Sequence, residues 1–215
     1  NTDLPHMLTD KISWEKIVSE MGINNEDKIV IYDNSDVISS CRCWYNFIYF
    51  GHKPELVQVL DGGLKKWKKE KKILSSKTYK KTKRKFKIKI VKKYLSNKND
   101  IINNIKNNNS IIIDARSRNR YLGIEKENRK NLRSGNIPGS KNLYWKKLIN
   151  KNGTLKSNKK LKILFDQLKL KKNDNIITTC GSGITACIIK ISLVKLNFTN
   201  VSVYDGSWSE WGIKK

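Results

Sequence analysis

Two stretches of this chain repeat the same order of elements, and that repeat limits the fold more than any other feature. The first runs Lys28-Ile-Val-Ile-Tyr-Asp33, a short polar loop, then Cys43-Trp-Tyr-Asn-Phe-Ile-Tyr-Phe50. After Gly51 it continues Leu56-Val-Gln-Val-Leu60, Asp61-Gly62-Gly63 and Trp67. The second runs Asn175-Ile-Ile-Thr-Thr179, a short loop from Cys180, then Ala186-Cys-Ile-Ile-Lys-Ile-Ser-Leu-Val194. It continues Val201-Ser-Val-Tyr204, Asp205-Gly206-Ser207 and Trp211. Asp61 and Asp205 are 144 positions apart (205 − 61), as are Trp67 and Trp211 (211 − 67). Each copy reads as a β-branched strand, a tight loop, an amphipathic helix, a second strand and an aspartate-glycine turn. Strands alternating with helices imply parallel sheets with crossover helices. The expectation is therefore an α/β chain of two tandem domains of one type, each a parallel sheet flanked by helices.

The second copy has more in front of it than the first. Ile111-Ile-Ile-Asp114 is a further buried-type strand, and Arg133-Ser-Gly-Asn-Ile-Pro-Gly139 is a turn-rich loop. Only 27 residues precede Lys28, and the chain opens on Asn1 rather than Met. The first domain is therefore expected to lack its N-terminal strand here. Between the copies, Lys85-Phe-Lys-Ile-Lys-Ile-Val91 alternates lysine with apolar side chains. Period two predicts a half-exposed edge strand guarded by lysines, with a nucleic-acid clamp as the sharper alternative. Asn103 to Asn109 reads as a polar helix end and loop. The predicted boundary places the first domain at residues 1–84 and the second at 85–215.

A formal charge of +26 raises nucleic-acid binding as a function. Arginine, however, supplies only 7 of the 45 basic residues, and lysine and asparagine are enriched in every kind of segment alike. That distribution resembles compositional bias more than a selected face, and no nucleic-acid-binding motif accompanies it. No specific nucleic-acid partner is expected, and no run of about 18 apolar residues calls for a membrane. The cysteines are Cys41, Cys43, Cys180 and Cys187. Cys41 and Cys43 are too close for an ordinary metal-ligand pair, and four cysteines make no disulfide framework in a chain this long. Free thiols in a reducing compartment fit best.

Cys180-Gly-Ser-Gly-Ile-Thr-Ala186 lies where a strand ends and a helix begins, at the carboxyl edge where open α/β sheets bind ligands. Gly181 and Gly183 let several peptide N–H groups point into one concavity, and the following helix directs its N-terminus there. Both features favour an anion and a thiolate.

These residues resemble the active-site loop of the 3-mercaptopyruvate sulfurtransferases in the rhodanese superfamily. Asp205-Gly-Ser-Trp-Ser-Glu-Trp211, Asp114-Ala-Arg116 and Gly135-Asn-Ile-Pro-Gly139 resemble further blocks of that family in order and spacing. The resemblance implies a persulfide carried on Cys180, a small-molecule sulfur donor, and a thiol acceptor such as thioredoxin or a low-molecular-weight thiol, with cyanide as a test-tube acceptor. It implies no metal and no organic cofactor, and a cytoplasmic or mitochondrial location. It matches Arg120 and Arg129 to the arginines that hold the donor's carboxylate and keto oxygen, with Gly181, Gly183, Ile184 and Thr185 forming the binding loop. Arg116 is expected to be structural and Arg118 solvated. Ser182 stands where thiosulfate-preferring relatives carry lysine, and it resembles one member of a Ser-His-Asp set. His6, in Leu4-Pro-His-Met-Leu8, matches the histidine, and the aspartate would fall before residue 1.

Asn136 departs from the family's usual histidine. Asp33 takes the position equivalent to Cys180 in the first copy, so that domain is expected to be a silent scaffold and active-site wall. Cys187 is expected to be a core residue, and Arg42 to be structural. Residue 186 is alanine where a phosphatase of the Cys-x5-Arg type needs arginine, which argues against that activity. Thiosulfate sulfurtransferase and a non-catalytic binding module stay open as alternatives.

Overall fold

A computed structural model describes residues 3–35, 38–78 and 80–214. The chain divides into two compact units, and each has its own core.

One unit holds residues 8–92 together with 152–154. Its elements are α1 (Lys11–Glu20), β1 (Ile29–Ile31), α2 (Ser40–Tyr49), β2 (Val57–Val59) and α3 (Gly63–Lys69). β1 and β2 pair in parallel, Ile29 opposite Val57 and Ile31 opposite Val59, and among the described residues they are the whole of this sheet. α1 starts at Asp10, whose carboxylate accepts the Ser13 N–H and so meets one of the first-turn donors that a helix cannot pair internally. α2 buries Trp44, Tyr45, Phe47, Ile48 and Tyr49 together with Arg42, which stands 5.3 Å from the Tyr45 ring. Trp14 stacks on Phe50 with centroids 4.9 Å apart and meets Phe47 edge-on at 5.2 Å. Each such side chain contributes about 1.5–3 kcal/mol through burial, which explains why a short sheet suffices to organise the unit.

The segment Lys85–Val91 forms no strand, contrary to its period-two pattern. The N–H groups of Lys89 and Val91 donate to the carbonyls of Phe50 and Tyr49, those of Arg84 and Phe86 to the backbone and hydroxyl of Ser19. The segment thus satisfies helix ends rather than a ladder. Phe86 is buried with Phe47 and His52, while Ile90 is exposed. The alternation reflects a tether with one apolar anchor.

The other unit holds residues 3–7, 93–151 and 155–214 of the described chain. Its elements are β3 (Leu95–Ser96), α4 (Lys98–Asn107), β4 (Ile111–Asp114), α5 (Arg118–Leu122), β5 (Lys141–Asn142), α6 (Asn158–Asp166), β6 (Ile176–Thr179), α7 (Ala186–Lys195), β7 (Val201–Tyr204) and α8 (Ser207–Trp211). The five strands are all parallel, in the order β3-β7-β6-β4-β5. Central β6 and β7 are buried throughout, as expected of a parallel sheet covered on both faces. Ile101, Ile112, Ile137, Ile177, Tyr204 and Trp208 form one core cluster, against which Leu132 and Trp211 pack. α4 opens on a reciprocal cap between Asn97 and Asp100 and closes at Asn108, which is left-handed at φ 51°. β1-α2-β2-α3 and β6-α7-β7-α8 follow one path, so the sequence repeat is a structural repeat.

Candidate active site

β6 ends at Thr179, and the next residue, Cys180, is buried. Its backbone is held from the turn after β7. The Cys180 N–H donates to the Ser207 hydroxyl at 3.2 Å, and that hydroxyl donates to the Tyr204 carbonyl at 2.8 Å. In return the Trp208 and Ser209 N–H groups donate to the carbonyls of Cys180 and Gly181 at 2.9 and 2.8 Å. The Asp205-Gly-Ser-Trp block therefore braces the cysteine loop, with Ser207 itself in a left-handed conformation at φ 49°.

The loop carbonyls are thus occupied, while the N–H groups of Gly181, Ser182, Ile184 and Thr185 have no protein acceptor among the described residues. Those donors sit before the ten-residue helix α7, whose N-terminal dipole adds to their pull on an anion. The two glycines differ in their use. Gly183 adopts φ 80°, which L side chains rarely take. Gly181 has no such angle. The Arg120 guanidinium lies 3.5 Å from where a Gly181 Cβ would stand, an ordinary contact distance. The Cys187 thiol is fully buried and donates to the Gly183 carbonyl at 3.2 Å.

Arg120 and Arg129 both reach this loop. Arg129 donates from Nη1 to the Gly181 carbonyl at 3.3 Å and to Ser209 Oγ, and from Nη2 to Ser182 Oγ at 3.4 Å. Among the described residues Arg129 has no carboxylate partner. Arg120 uses Nε and Nη2 on the two oxygens of Glu127, at 3.3 and 2.7 Å. Partial burial works against the Arg120 charge, but the Glu127 carboxylate outweighs it and raises the guanidinium pKa further. Arg116 is a buried strut. It grips Asp114 through Nε and Nη2 at 3.0 and 2.7 Å, gives Nη1 to Glu127 at 2.9 Å, and lies 4.1 Å from the Trp208 ring.

His6 lies in the same unit as the loop. Its Nδ1 is 2.8 Å from Ser182 Oγ, and its own backbone is left-handed at φ 62°. Arg129 donates to that same hydroxyl, and the direction of its contact with Nδ1 is set by the His6 tautomer. Ile184 and Thr185 form the turn into α7, and Thr185 makes no side-chain cap bond. Asn136 gives its amide to the Tyr121 carbonyl at 3.1 Å and so serves packing. Among the described residues, no cluster of three His, Cys, Asp or Glu side chains is placed to ligate a metal ion.

Sequence reasoning missed Glu127, Ser207 and Ser209. Glu127 hides in the polar run Glu125-Lys-Glu-Asn-Arg129. The two serines were visible within the Asp205–Trp211 block, but only the fold shows that they face the loop.

Residues 4–70 and 97–214 match the Rhodanese-like domain family. The chain is 35% identical to thiosulfate/3-mercaptopyruvate sulfurtransferase 1, mitochondrial, of Arabidopsis thaliana, over 98% of this chain and 60% of that protein. It is 32% identical to the 3-mercaptopyruvate sulfurtransferase of Escherichia coli K12, over 98% of this chain and 74% of the relative. A crystal structure of an Escherichia coli 3-mercaptopyruvate sulfotransferase superposes with a TM-score of 0.83 at 30% identity, covering 96% of this chain and 76% of that one. The chain thus spans three-fifths of the plant relative's length.

Proposed function

This chain belongs to the rhodanese family, and on that premise we propose that it is a sulfurtransferase that carries the sulfur of 3-mercaptopyruvate on Cys180. The observation that carries the reading is that the loop following the buried Cys180 presents N–H groups with no protein acceptor among the described residues and is reached by two guanidinium groups, at Gly181 and Ser182. We assign catalysis to the unit of residues 3–7, 93–151 and 155–214 and a silent role to the unit of residues 8–92 and 152–154, so the division falls at residue 92 rather than at the expected 84.

The Cys180 thiolate attacks the donor sulfur. A sulfur–sulfur bond forms, the donor's carbon–sulfur bond breaks, and its electron pair goes to pyruvate as the enolate, which then takes a proton. An acceptor thiolate, from thioredoxin or a low-molecular-weight thiol, attacks the outer sulfur and returns Cys180 as thiolate. The same N–H groups stabilise thiolate and persulfide alike. Arg120 and Arg129 bind the donor's carboxylate and keto oxygen, since guanidinium matches that pair with parallel hydrogen bonds. Gly181, Gly183, Ile184 and Thr185 line the binding loop. Ser182 and His6 relay a proton to or from the keto acid. Neither a metal nor an organic cofactor enters these steps. The proposed compartment is cytoplasmic or mitochondrial; the plant relative's name gives mitochondrial.

The plant relative's name joins both donors, so donor preference is the point to measure. Sulfur transfer to a small thiol should have a higher kcat/KM with 3-mercaptopyruvate than with thiosulfate. Ser182→Lys should move the preference toward thiosulfate. A wild-type preference for thiosulfate would reverse the donor assignment, and turnover with neither donor would remove the enzyme.

A further inference from the structure

Arg116, Arg120 and Arg129 carry three positive charges, and Asp114 and Glu127 carry two negative ones. Asp114 is taken up by Arg116, both nearly inaccessible to solvent. Glu127 is equally buried, at 2% side-chain exposure, and its two oxygens are divided between Arg116 and Arg120. Arg129 meets only a carbonyl and two hydroxyls among the described residues. Glu125 binds the Ser117 hydroxyl at 3.3 Å and is exposed, as are Lys126 and Lys130, so solvent screens all three. Arg129 is exposed as well; Arg116 is matched by Asp114, and Glu127 is the carboxylate set against Arg120.

Glu127 also decides how Arg120 stands. It occupies the Nε and Nη2 edge of that guanidinium, which leaves Nη1 without a partner among the described residues, above Gly181. A salt-bridged arginine fixed in this way meets an incoming carboxylate without first losing rotamer freedom.

We propose that Glu127 is a positioning and specificity-determining residue, which fixes Arg120 over Gly181 and cancels one of the two donor-binding charges, so that the loop favours a monoanionic sulfur donor over a dianionic one. This rests on the sulfurtransferase reading above. 3-Mercaptopyruvate with its thiol protonated is a monoanion, and thiosulfate is a dianion. A dianion gains more than a monoanion from each positive charge at the loop, so it loses more where a carboxylate already offsets one of them.

The test compares kcat/KM for the two donors in wild type, Glu127→Gln and Glu127→Asp. Glu127→Gln keeps the shape and removes the charge, and the thiosulfate-to-mercaptopyruvate ratio should rise about tenfold. Glu127→Asp keeps the charge at a shorter reach, so both donors should slow while their ratio holds. General loosening of the fold would lower both donors together and could not move the ratio in Glu127→Gln alone. A working wild type whose ratio is unchanged in Glu127→Gln, or changes equally in Glu127→Asp, overturns this proposal and leaves the sulfurtransferase reading standing. Wild type inert to both donors overturns both. If Glu127→Gln does not fold, competition on wild type decides. Pyruvate should protect Cys180 from persulfidation at lower concentration than sulfate, and stronger protection by sulfate overturns the proposal.

Discussion

At the end of β1 the chain turns into α2 through Asp33, and at the end of β6 it turns into α7 through Cys180. The first turn brings its own anion. Asp33 Oδ2 accepts the Ser40 N–H at 2.6 Å and the Ser39 hydroxyl at 3.3 Å, so the start of α2 is satisfied from within. The second turn leaves four N–H groups without a protein acceptor among the described residues and adds two arginines. The same strand-loop-helix path thus ends in a closed cap in one unit and in an open anion cradle in the other. One residue type at the end of the strand separates them: a carboxylate fills the donors permanently, whereas in the proposed chemistry a thiolate there takes on one sulfur and then gives it up.

The sharpest way to break that contrast is to remove the nucleophile. Cys180→Ala should lower sulfur transfer by about a thousandfold or more, because the covalent step has no substitute, and turnover at the wild-type rate would contradict the account.

The helices behind the two turns differ as well. α2 buries aromatic side chains, whereas α7 buries Lys190, which donates to the Val201 carbonyl and lies 4.1 Å from the Tyr94 ring. Burial pushes the Lys190 pKa down to about 7, Cys187 favours the charged form and Lys93 disfavours it. The unfolded chain holds that proton up to the ordinary lysine range, so folding is penalised at low pH and the penalty is relieved as pH rises from about 7 to about 10.5. Lys190→Met should therefore stabilise the protein by a few kcal/mol at pH 6 and by much less at pH 10. Denaturant melts at the two pH values check this, and a variant with equal effects at both would refute it.

Replacing Arg120 or Arg129 by glutamine should weaken donor use by about 1.5–3 kcal/mol for each charged hydrogen bond lost. Steady-state kinetics should place the loss mainly in KM, and unchanged kinetics in either variant would show that the carboxylate binds elsewhere. The smallest effect belongs to the closed turn. Asp33→Ala should cost about 1 kcal/mol of stability and leave Cys180 chemistry unchanged, as expected for loss of a helix cap. Lost sulfur transfer in that variant would mean that the two turns are not independent in function.

Much of this was legible in the chain. The repeat, the parallel sheets and the loop from Cys180 to Thr185 follow from strand-like runs joined by glycine-rich turns. His6, Arg120 and Arg129 came from resemblance to family motifs, and the fold brings all three to the loop. Glu127 was not legible, because a charged residue among charged residues looks solvated until the fold buries it between two arginines. Lys190 was hidden for the opposite reason: one lysine in an apolar helix reads as its solvent face, yet every face of that turn is covered. Lys85–Val91 misled because period two reports only that alternate side chains differ, not that a neighbouring strand exists to pair with.

The most direct measurement is the intact mass of the protein after exposure to 3-mercaptopyruvate, followed by peptide mapping. The account predicts a gain of about 32 Da, one sulfur, on Cys180. Cys43, whose thiol burial pushes up in pKa, should stay unmodified. A folded protein that gains no sulfur, or gains it on Cys43 in place of Cys180, would contradict the assignment of the β6–α7 turn as the reacting centre.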